Sequence, residues 1–257
     1  DSEFAPLVEK ISSDCPRVRH RVALDRERDG WAFYPAWRDR HRDDDPRVEI
    51  APGDDAIQLY TSGTTGHPKG VQLTHANYLA FFHAAEAARW ADFATGDANL
   101  VAMPNFHVAG TNMGLTTLAQ GATAIVLREV EIARIFELIA RYKVRNAFLV
   151  PAVIGMMLQH PKLGEADLRS LRSLFYGASP IAESLLAEAQ RALPGCGFTQ
   201  LYGLTETVGA GTALQPTEHV AALLRSCGKP YPGIEIKTVD AAGRDWKSTR
   251  LNSSHRT

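Results

Sequence analysis

Cysteine is scarce in this sequence: Cys15, Cys196 and Cys227 are the only three in 257 residues, odd in number and far apart. That argues against a disulfide framework or a paired-thiol zinc site, and a reducing cytosol fits best. Net charge is equally scarce. With 28 Lys and Arg against 29 Asp and Glu, no overall field draws the chain to nucleic acid or to an acidic membrane, and a small molecule is the expected partner. No run approaches the roughly 18 apolar residues of a membrane-spanning helix, so no transmembrane segment is expected. Residues 1–20 lack the basic start and apolar stretch of a secretory leader, and no internal repeat is apparent. What is present is a hydrophobic content of 45%. It is enough to bury a large core, in a length suited to one large α/β domain or two modest ones.

From residue 56 onward, short β-rich runs alternate with helical stretches, the pattern of a largely parallel sheet joined by crossover helices. Strands are expected at 56–61, 99–104, 122–127, 146–150, 174–177, 198–202 and 234–240. Ile132, Ile135, Phe136, Ile139 and Tyr142 recur at helical spacing and give one apolar face to lie on the sheet. Residues 181–192 follow the same logic, with Ser179 as N-cap and Pro180 at the first helical position. Thr74 is expected to cap a helix running from His75 to about Trp90. Residues 25–55, with a mixed-charge run at 38–45 and breaks at Pro46 and Pro52, read as a solvated loop. Residues 1–24 read as a helix and a strand. Residues 247–257 carry one large apolar residue, Leu251, and no usable period, and read as vector or read-through sequence. The expected division is thus a domain over 1–245 and a non-native tail over 246–257.

The most informative segment is Thr61-Ser62-Gly63-Thr64-Thr65-Gly66-His67-Pro68-Lys69-Gly70. It gathers small hydroxyls among glycines, which let backbone N–H groups approach an anion, and Lys69 adds a mobile positive charge. Such a set can hydrogen-bond and neutralise a triphosphate, whose oxygens take several charge-assisted donors at once. An ordinary polar turn would not need this concentration. The segment is not a Walker A loop, because Lys69 follows Pro68 and precedes Gly70 where that motif requires Gly-Lys and then Ser or Thr.

This loop resembles the phosphate-binding signature of the adenylate-forming enzymes, which include acyl-CoA synthetases, luciferases and the adenylation domains of peptide synthetases. Further segments match the family in order. Met103-Pro104-Asn105-Phe106-His107-Val108-Ala109-Gly110 looks like the segment beside the acyl pocket, where the resemblance gives His107 the carboxylate end and Gly110 the task of leaving room for a chain. Tyr176-Gly177-Ala178-Ser179-Pro180 resembles the turn on which adenine lies. Gln200-Leu201-Tyr202-Gly203-Leu204-Thr205-Glu206-Thr207 matches the segment in which the Tyr packs on adenine, the Thr contacts phosphate and the Glu holds Mg²⁺, a hard ion that prefers oxygen ligands. Residues 228–233 resemble a structural turn. The resemblance spans roughly residues 56–243.

The resemblance implies an α/β fold of largely parallel sheets flanked by helices, the partial N-terminal domain of such an enzyme. ATP, Mg²⁺ and coenzyme A are the implied cofactor and co-substrates, and a carboxylic acid the substrate. The acid attacks the α-phosphorus of ATP, pyrophosphate leaves, and coenzyme A thiolate takes the acyl group. The catalytic roles fall on Lys69, Thr205, Glu206 and His107. Nucleotide binding falls on Thr61, Ser62, Gly63, Thr64, Thr65, Gly66 and Lys69, on Gly177, Ala178 and Ser179, and on Gln200, Leu201, Tyr202, Gly203 and Thr205; Glu206 and Thr65 are the metal positions. The family's ribose-binding Asp, hinge and C-terminal lid are not recognisable, and Lys247 is not assigned the lid lysine's role. The 257-residue chain is therefore expected to bind nucleotide weakly at best and not to complete thioester formation. A fatty acid is the expected substrate, since no acidic partner for a substrate amine is evident around residues 106–110. Aryl or amino acid activation is the alternative within the family, and a non-catalytic nucleotide-binding fragment the alternative outside it.

Overall fold

The computed structural model describes residues 1–62, 66–88, 94–240 and 242. It divides into two compact units, Asp1–Ile50 and Ala51–Thr257. The first holds helix α1 (Ala5–Ile11), with Pro6 in its first turn, and two short parallel strands, β1 (Val22–Ala23) and β2 (Ala32–Phe33). Helix α2 (Tyr34–Arg38) follows at once. The solvated loop expected over residues 25–55 is thus corrected in part. Pro35 sets the first helical turn of α2, and the Arg38 guanidinium lies 5.8 Å from the Tyr34 ring centroid, while residues 39–50 are exposed throughout.

The second unit opens with an antiparallel hairpin of β3 (Asp55–Thr61) and β4 (Lys69–Thr74). The first strand is as expected. The second was hidden by its length, because Val71 and Leu73 alone carry the inward alternation. Helix α3 (His75–Ala88) starts where Thr74 predicts. The Asn77 N–H donates to Thr74 Oγ1 at 3.2 Å, and the Thr74 N–H donates to Asn77 Oδ1 at 3.0 Å, so two free amides of the first turn are satisfied reciprocally. Trp90, the expected end, lies outside the described residues.

The main sheet is built from β5 (Ala98–Val101), helix α4 (Val108–Ala119), β6 (Thr123–Val126), α5 (Ile132–Tyr142), β7 (Asn146–Leu149), α6 (Pro151–Gln159), β8 (Ser173–Gly177), α7 (Glu183–Ala192), β9 (Gly197–Tyr202), β10 (Thr212–Leu214) and β11 (Lys229–Pro230). Its strand order is β11-β10-β9-β8-β7-β5-β6. The strands from β6 to β9 are parallel, and β10 and β11 add on antiparallel. The expectation of a largely parallel sheet flanked by helices therefore holds. Among the described residues, no helix is long and apolar enough to cross a membrane.

Strand parity divides the core. Leu100, Ala147, Leu149, Leu174 and Tyr176 pack with α5, α6 and α7 in one cluster. The alternate residues Val101, Phe148 and Phe175 pack with β3, β4, α3 and the start of α4 in another. A buried polar chain locks α4 to the sheet: Asn146 Nδ2 donates to Asn99 Oδ1 at 2.7 Å, Asn99 Nδ2 to Thr117 Oγ1 at 3.3 Å, and Thr117 Oγ1 to the Met113 carbonyl at 2.7 Å.

Three expectations are corrected. Residues 234–240 form no strand beyond a bridge at Val239, because the chain turns there: the Ile234 N–H donates to the Tyr231 carbonyl and Gly233 takes φ +82. Helix α7 starts at Glu183 behind Ala182 rather than at Ser179-Pro180; Ala178 takes φ +62 and Ile181 packs on the core, which carries the chain past Pro180 before it coils. On α5, Leu138 replaces the half-exposed Tyr142 on the buried face. The suspected tail at 246–257 lies outside the described residues.

Candidate active site

The hairpin register sets Thr61 directly opposite Lys69, so the two ends of the loop between them present a hydroxyl and an ammonium side by side in sequence register. Gly66 takes φ +82, a conformation open to glycine at no cost. Gly63, Thr64 and Thr65 lie outside the described residues, and with them Thr65 as a metal position.

His107 is the N-cap of α4. Its Nδ1 accepts from the Ala109 N–H at 3.1 Å, so the neutral ring carries its proton on Nε2, and that N–H is the donor left to meet a substrate. Gly110 corrects an expectation. A side chain there would run into the carbonyls of Met103 and Pro104, so this glycine lets α4 pack against its own approach segment and does not open space for an acyl chain.

Beyond β9 the chain makes a one-turn 3-10 helix, Thr205–Thr207. Thr207 Oγ1 accepts from the Leu204 N–H at 3.1 Å, and the Leu204 carbonyl accepts from the N–H groups of Thr207 and Gly209. The turn touches β4, which brings Thr205 and Glu206 to the side of the hairpin that carries Lys69. Gly203 and Gly177 serve close backbone approach: a side chain at Gly203 would strike the Gly209 carbonyl, and one at Gly177 the Leu201 carbonyl.

These segments enclose a cavity of about 490 Å³. Thr61, Ser62 and Lys69 from the hairpin, His107 from α4, Ala178 from the end of β8, and Leu201, Gly203, Thr205 and Glu206 from β9 and its turn all line it. Gly66, Gly177, Ser179, Gln200 and Tyr202 do not line it. Gln200 pairs between Tyr176 and Leu214 inside the sheet, Ser179 is exposed, and the Tyr202 ring stands half exposed at the end of β9. The sequence motifs did not indicate the apolar wall: Phe81, Met113, Phe148, Phe175 and Tyr231, with the Asn112 amide among them. Parity would have found two of these, since Phe148 and Phe175 alternate with residues that face the other core.

Behind the β8 turn, Tyr176 is fully buried, and its hydroxyl lies 3.0 Å from His219 Nε2. His219 Nδ1 is 2.8 Å from the Gln215 carbonyl, which can only accept, so Nδ1 carries the proton and Nε2 accepts from the tyrosine. Burial holds His219 below the usual imidazole range and pushes the Tyr176 hydroxyl up. Among the described residues no group of three or more His, Cys, Asp or Glu gathers to hold a metal. Among the described residues, Glu206 is the single carboxylate lining the cavity, and the hydroxyl residues Thr61, Ser62 and Thr205 line it too.

The family model for AMP-binding enzymes matches residues 2–249. The fatty acid–[acyl-carrier-protein] ligase ScoC of Streptomyces coeruleorubidus is 38% identical over 95% of this chain and 46% of its own length. Indoleacetate–CoA ligase of Aromatoleum aromaticum is 32% identical over 88% of the chain and 44% of its own. The chain therefore spans about half the length of the curated relatives it matches. Among solved structures, the N-terminal domain of FACL13 from Mycobacterium tuberculosis superposes with a TM-score of 0.75 at 27% identity, covering 95% of this chain and 59% of that one. O-succinylbenzoate coenzyme A synthetase (MenE) from Bacillus subtilis, solved with ATP and magnesium ion, gives a TM-score of 0.66 at 28% identity, covering 78% and 41%. With a hairpin loop, a capped helix and a 3-10 turn converging on one cavity in the order its motifs predict, this chain belongs to the AMP-binding enzyme family.

Proposed function

We propose that this chain binds ATP and a carboxylic acid in the cavity and, within the enzyme it serves, joins them as an acyl-adenylate that coenzyme A then converts to a thioester. The observation that carries the reading is the convergence of Lys69, His107, Thr205 and Glu206, from three separate segments, on one cavity with an apolar wall. A carboxylate is a poor acyl donor because its leaving group would be oxide, and attachment of AMP supplies a better one. The carboxylate oxygen attacks the α-phosphorus and pyrophosphate departs. The coenzyme A sulfur then attacks the acyl carbon, and AMP leaves with its phosphate oxygens carrying the electron pair.

The protein's part is alignment and charge stabilisation. His107 Nε2–H orients the acid carboxylate, Lys69 balances charge on the phosphates, and the Thr61, Ser62 and Thr205 hydroxyls supply further donors. Adenine is assigned to Ala178, which lines the cavity, and to the adjoining Gly177, Ser179 and half-exposed Tyr202 ring, which lie outside its lining. One carboxylate among hydroxyls suits Mg²⁺, which is held by one or two carboxylates plus phosphates and water rather than by an all-protein cage. Bound there through Glu206, the ion would neutralise phosphate charge. Its place in the loop falls to Thr65.

A fatty acid is the preferred substrate, in keeping with the 38% identity to a fatty acid ligase. An aryl acid is the second reading, favoured by the four aromatic side chains Phe81, Phe148, Phe175 and Tyr231 on the cavity wall. The three cysteines are free thiols, in keeping with the cytosol, where ATP and coenzyme A are at hand. The test is acid-dependent exchange of labelled pyrophosphate into ATP by the enzyme that carries this chain, run with octanoate against indoleacetate and 4-coumarate. Lys69→Ala and Glu206→Ala should each lower exchange about 100-fold, the usual effect of removing one charge-stabilising group. Unchanged exchange in both variants would refute the assignment.

A further inference from the structure

Val208 stands at φ +55, ψ 29, directly after the turn that carries Thr205 and Glu206. A β-branched residue in the left-handed region is an outlier that persists only when its surroundings over-determine it. Local bonds account for part of this: the Val208 N–H donates to the Thr205 carbonyl, and the side chain is buried. The remaining hold comes from far away in sequence. Asn112 Nδ2, on α4, donates to the Val208 carbonyl at 2.7 Å across 96 positions.

The Asn112 amide has one possible orientation, because only its NH₂ can face a carbonyl. Its Oδ1 is then left buried with no hydrogen-bond partner. A leucine in its place would avoid that cost but would leave the Val208 carbonyl without its Asn112 donor, so what the asparagine adds at this position is a hold on that carbonyl. Gly209, at φ +70, clears the space: a side chain there would come within 3.1 Å of Asn112 Nδ2. Behind Asn112, α4 is fixed to the sheet through Thr117, Asn99 and Asn146. The chain of contacts therefore runs from a rigid sheet, through α4, to the strained residue beside the turn.

We infer that Asn112 is a positioning residue, which holds the Thr205–Glu206 turn in place for the nucleotide's phosphates and their cation by fixing the carbonyl of Val208. The inference rests on the nucleotide-binding reading above for its functional half and on the geometry alone for its structural half.

The test compares, in the enzyme that carries this chain, the parent with Asn112→Leu, Val208→Gly and the double variant, by hydrogen-exchange mass spectrometry and by ATP titration with Mg²⁺ or with EDTA. Asn112→Leu should fold, speed exchange across residues 205–209 about tenfold, and weaken ATP binding about tenfold with Mg²⁺ while leaving binding in EDTA unchanged, as expected for one lost buried hydrogen bond. Glycine adopts the left-handed conformation freely, so in the Val208→Gly background the same change should have a smaller effect. Should Asn112→Leu not fold, Asn112→Ala, which removes atoms and adds none, carries the same comparison. Unchanged exchange at 205–209 would overturn the proposal, as would equal losses with Mg²⁺ and with EDTA. If that enzyme binds no ATP at all, the functional reading fails, and the exchange data still decide whether Asn112 holds the turn.

Discussion

Two glycines should respond to alanine with opposite signs. Gly114 lies inside α4, and a methyl group built on it meets nothing within 4 Å. The only change is then the loss of glycine's extra backbone freedom, so Gly114→Ala should stabilise the fold by about 0.5–1 kcal/mol. At Gly177 the methyl group would run into the Leu201 carbonyl, on the strand that pairs with it residue for residue. The obstacle is backbone in a central ladder, so neither partner can move aside without parting β8 from β9. Overpacking of this kind costs about 1–3 kcal/mol. For a unit of this size, 1 kcal/mol shifts Tm by about 2–4 °C. The expected changes are therefore a rise of about 1–4 °C for Gly114→Ala and a fall of about 2–12 °C for Gly177→Ala. Thermal scans followed by circular dichroism read both directly. If Gly177→Ala melted with or above the parent chain, the assignment of Gly177 to backbone packing would be wrong, and the residue's smallness would have to serve the adenine instead.

Two further predictions follow from the local geometry. Thr74→Ala removes the oxygen that caps α3 at the exit of the hairpin and should cost about 1 kcal/mol, read as a lower urea midpoint with an unchanged slope. His219 is held by burial below its ordinary value of 6.5. Between its folded value and 6.5, the unfolded chain binds a proton that the folded chain does not, so stability should fall as pH drops through that window and level off below it. His219→Gln should flatten that part of the stability profile, and an unchanged slope would show that other groups set it.

Much of the sheet was legible because central parallel strands are buried on both faces and read as short apolar runs between turns. β5, β7, β8 and β9 begin within one residue of where the sequence sets them. Edge elements were less so. β10 and β11 are three and two residues long, too short for a periodic signal, and the 234–240 run had the right composition but pairs only at a bridge at Val239 among the described residues. Several motif residues line one cavity, but the motifs did not explain each residue. Lys69, His107, Thr205 and Glu206 meet on the cavity, yet Gly110, Gly177 and Gly203 are small for the sake of backbone contacts. A glycine inside a binding motif gives no sign of whether a ligand or a neighbouring strand requires it. Tyr231 carried no signal, because a turn residue becomes a cavity wall only once the antiparallel strands beside it are placed.

Topology gives an independent reason for the site's position. From β5 the chain passes through α4 to β6 on one side, then returns through α5 to β7 on the other side of β5. The strand order therefore reverses between β5 and β7. The helices divide in the same way, since the start of α4 packs in one core cluster while α5, α6 and α7 pack in the other. The segments leaving β5 and β7 at their carboxyl ends thus go to opposite faces, and an open sheet of this kind binds ligands in the crevice between such segments. His107 follows β5, Phe148 lies on β7, and Ala178 and Leu201 stand at the ends of β8 and β9, all on the one cavity. The strand order alone thus sets a crevice at this end of the sheet. The hairpin lysine and the Glu206 turn are added to it from outside the parallel strands, and on the proposed function they are the groups that would suit the space to a phosphate and its cation.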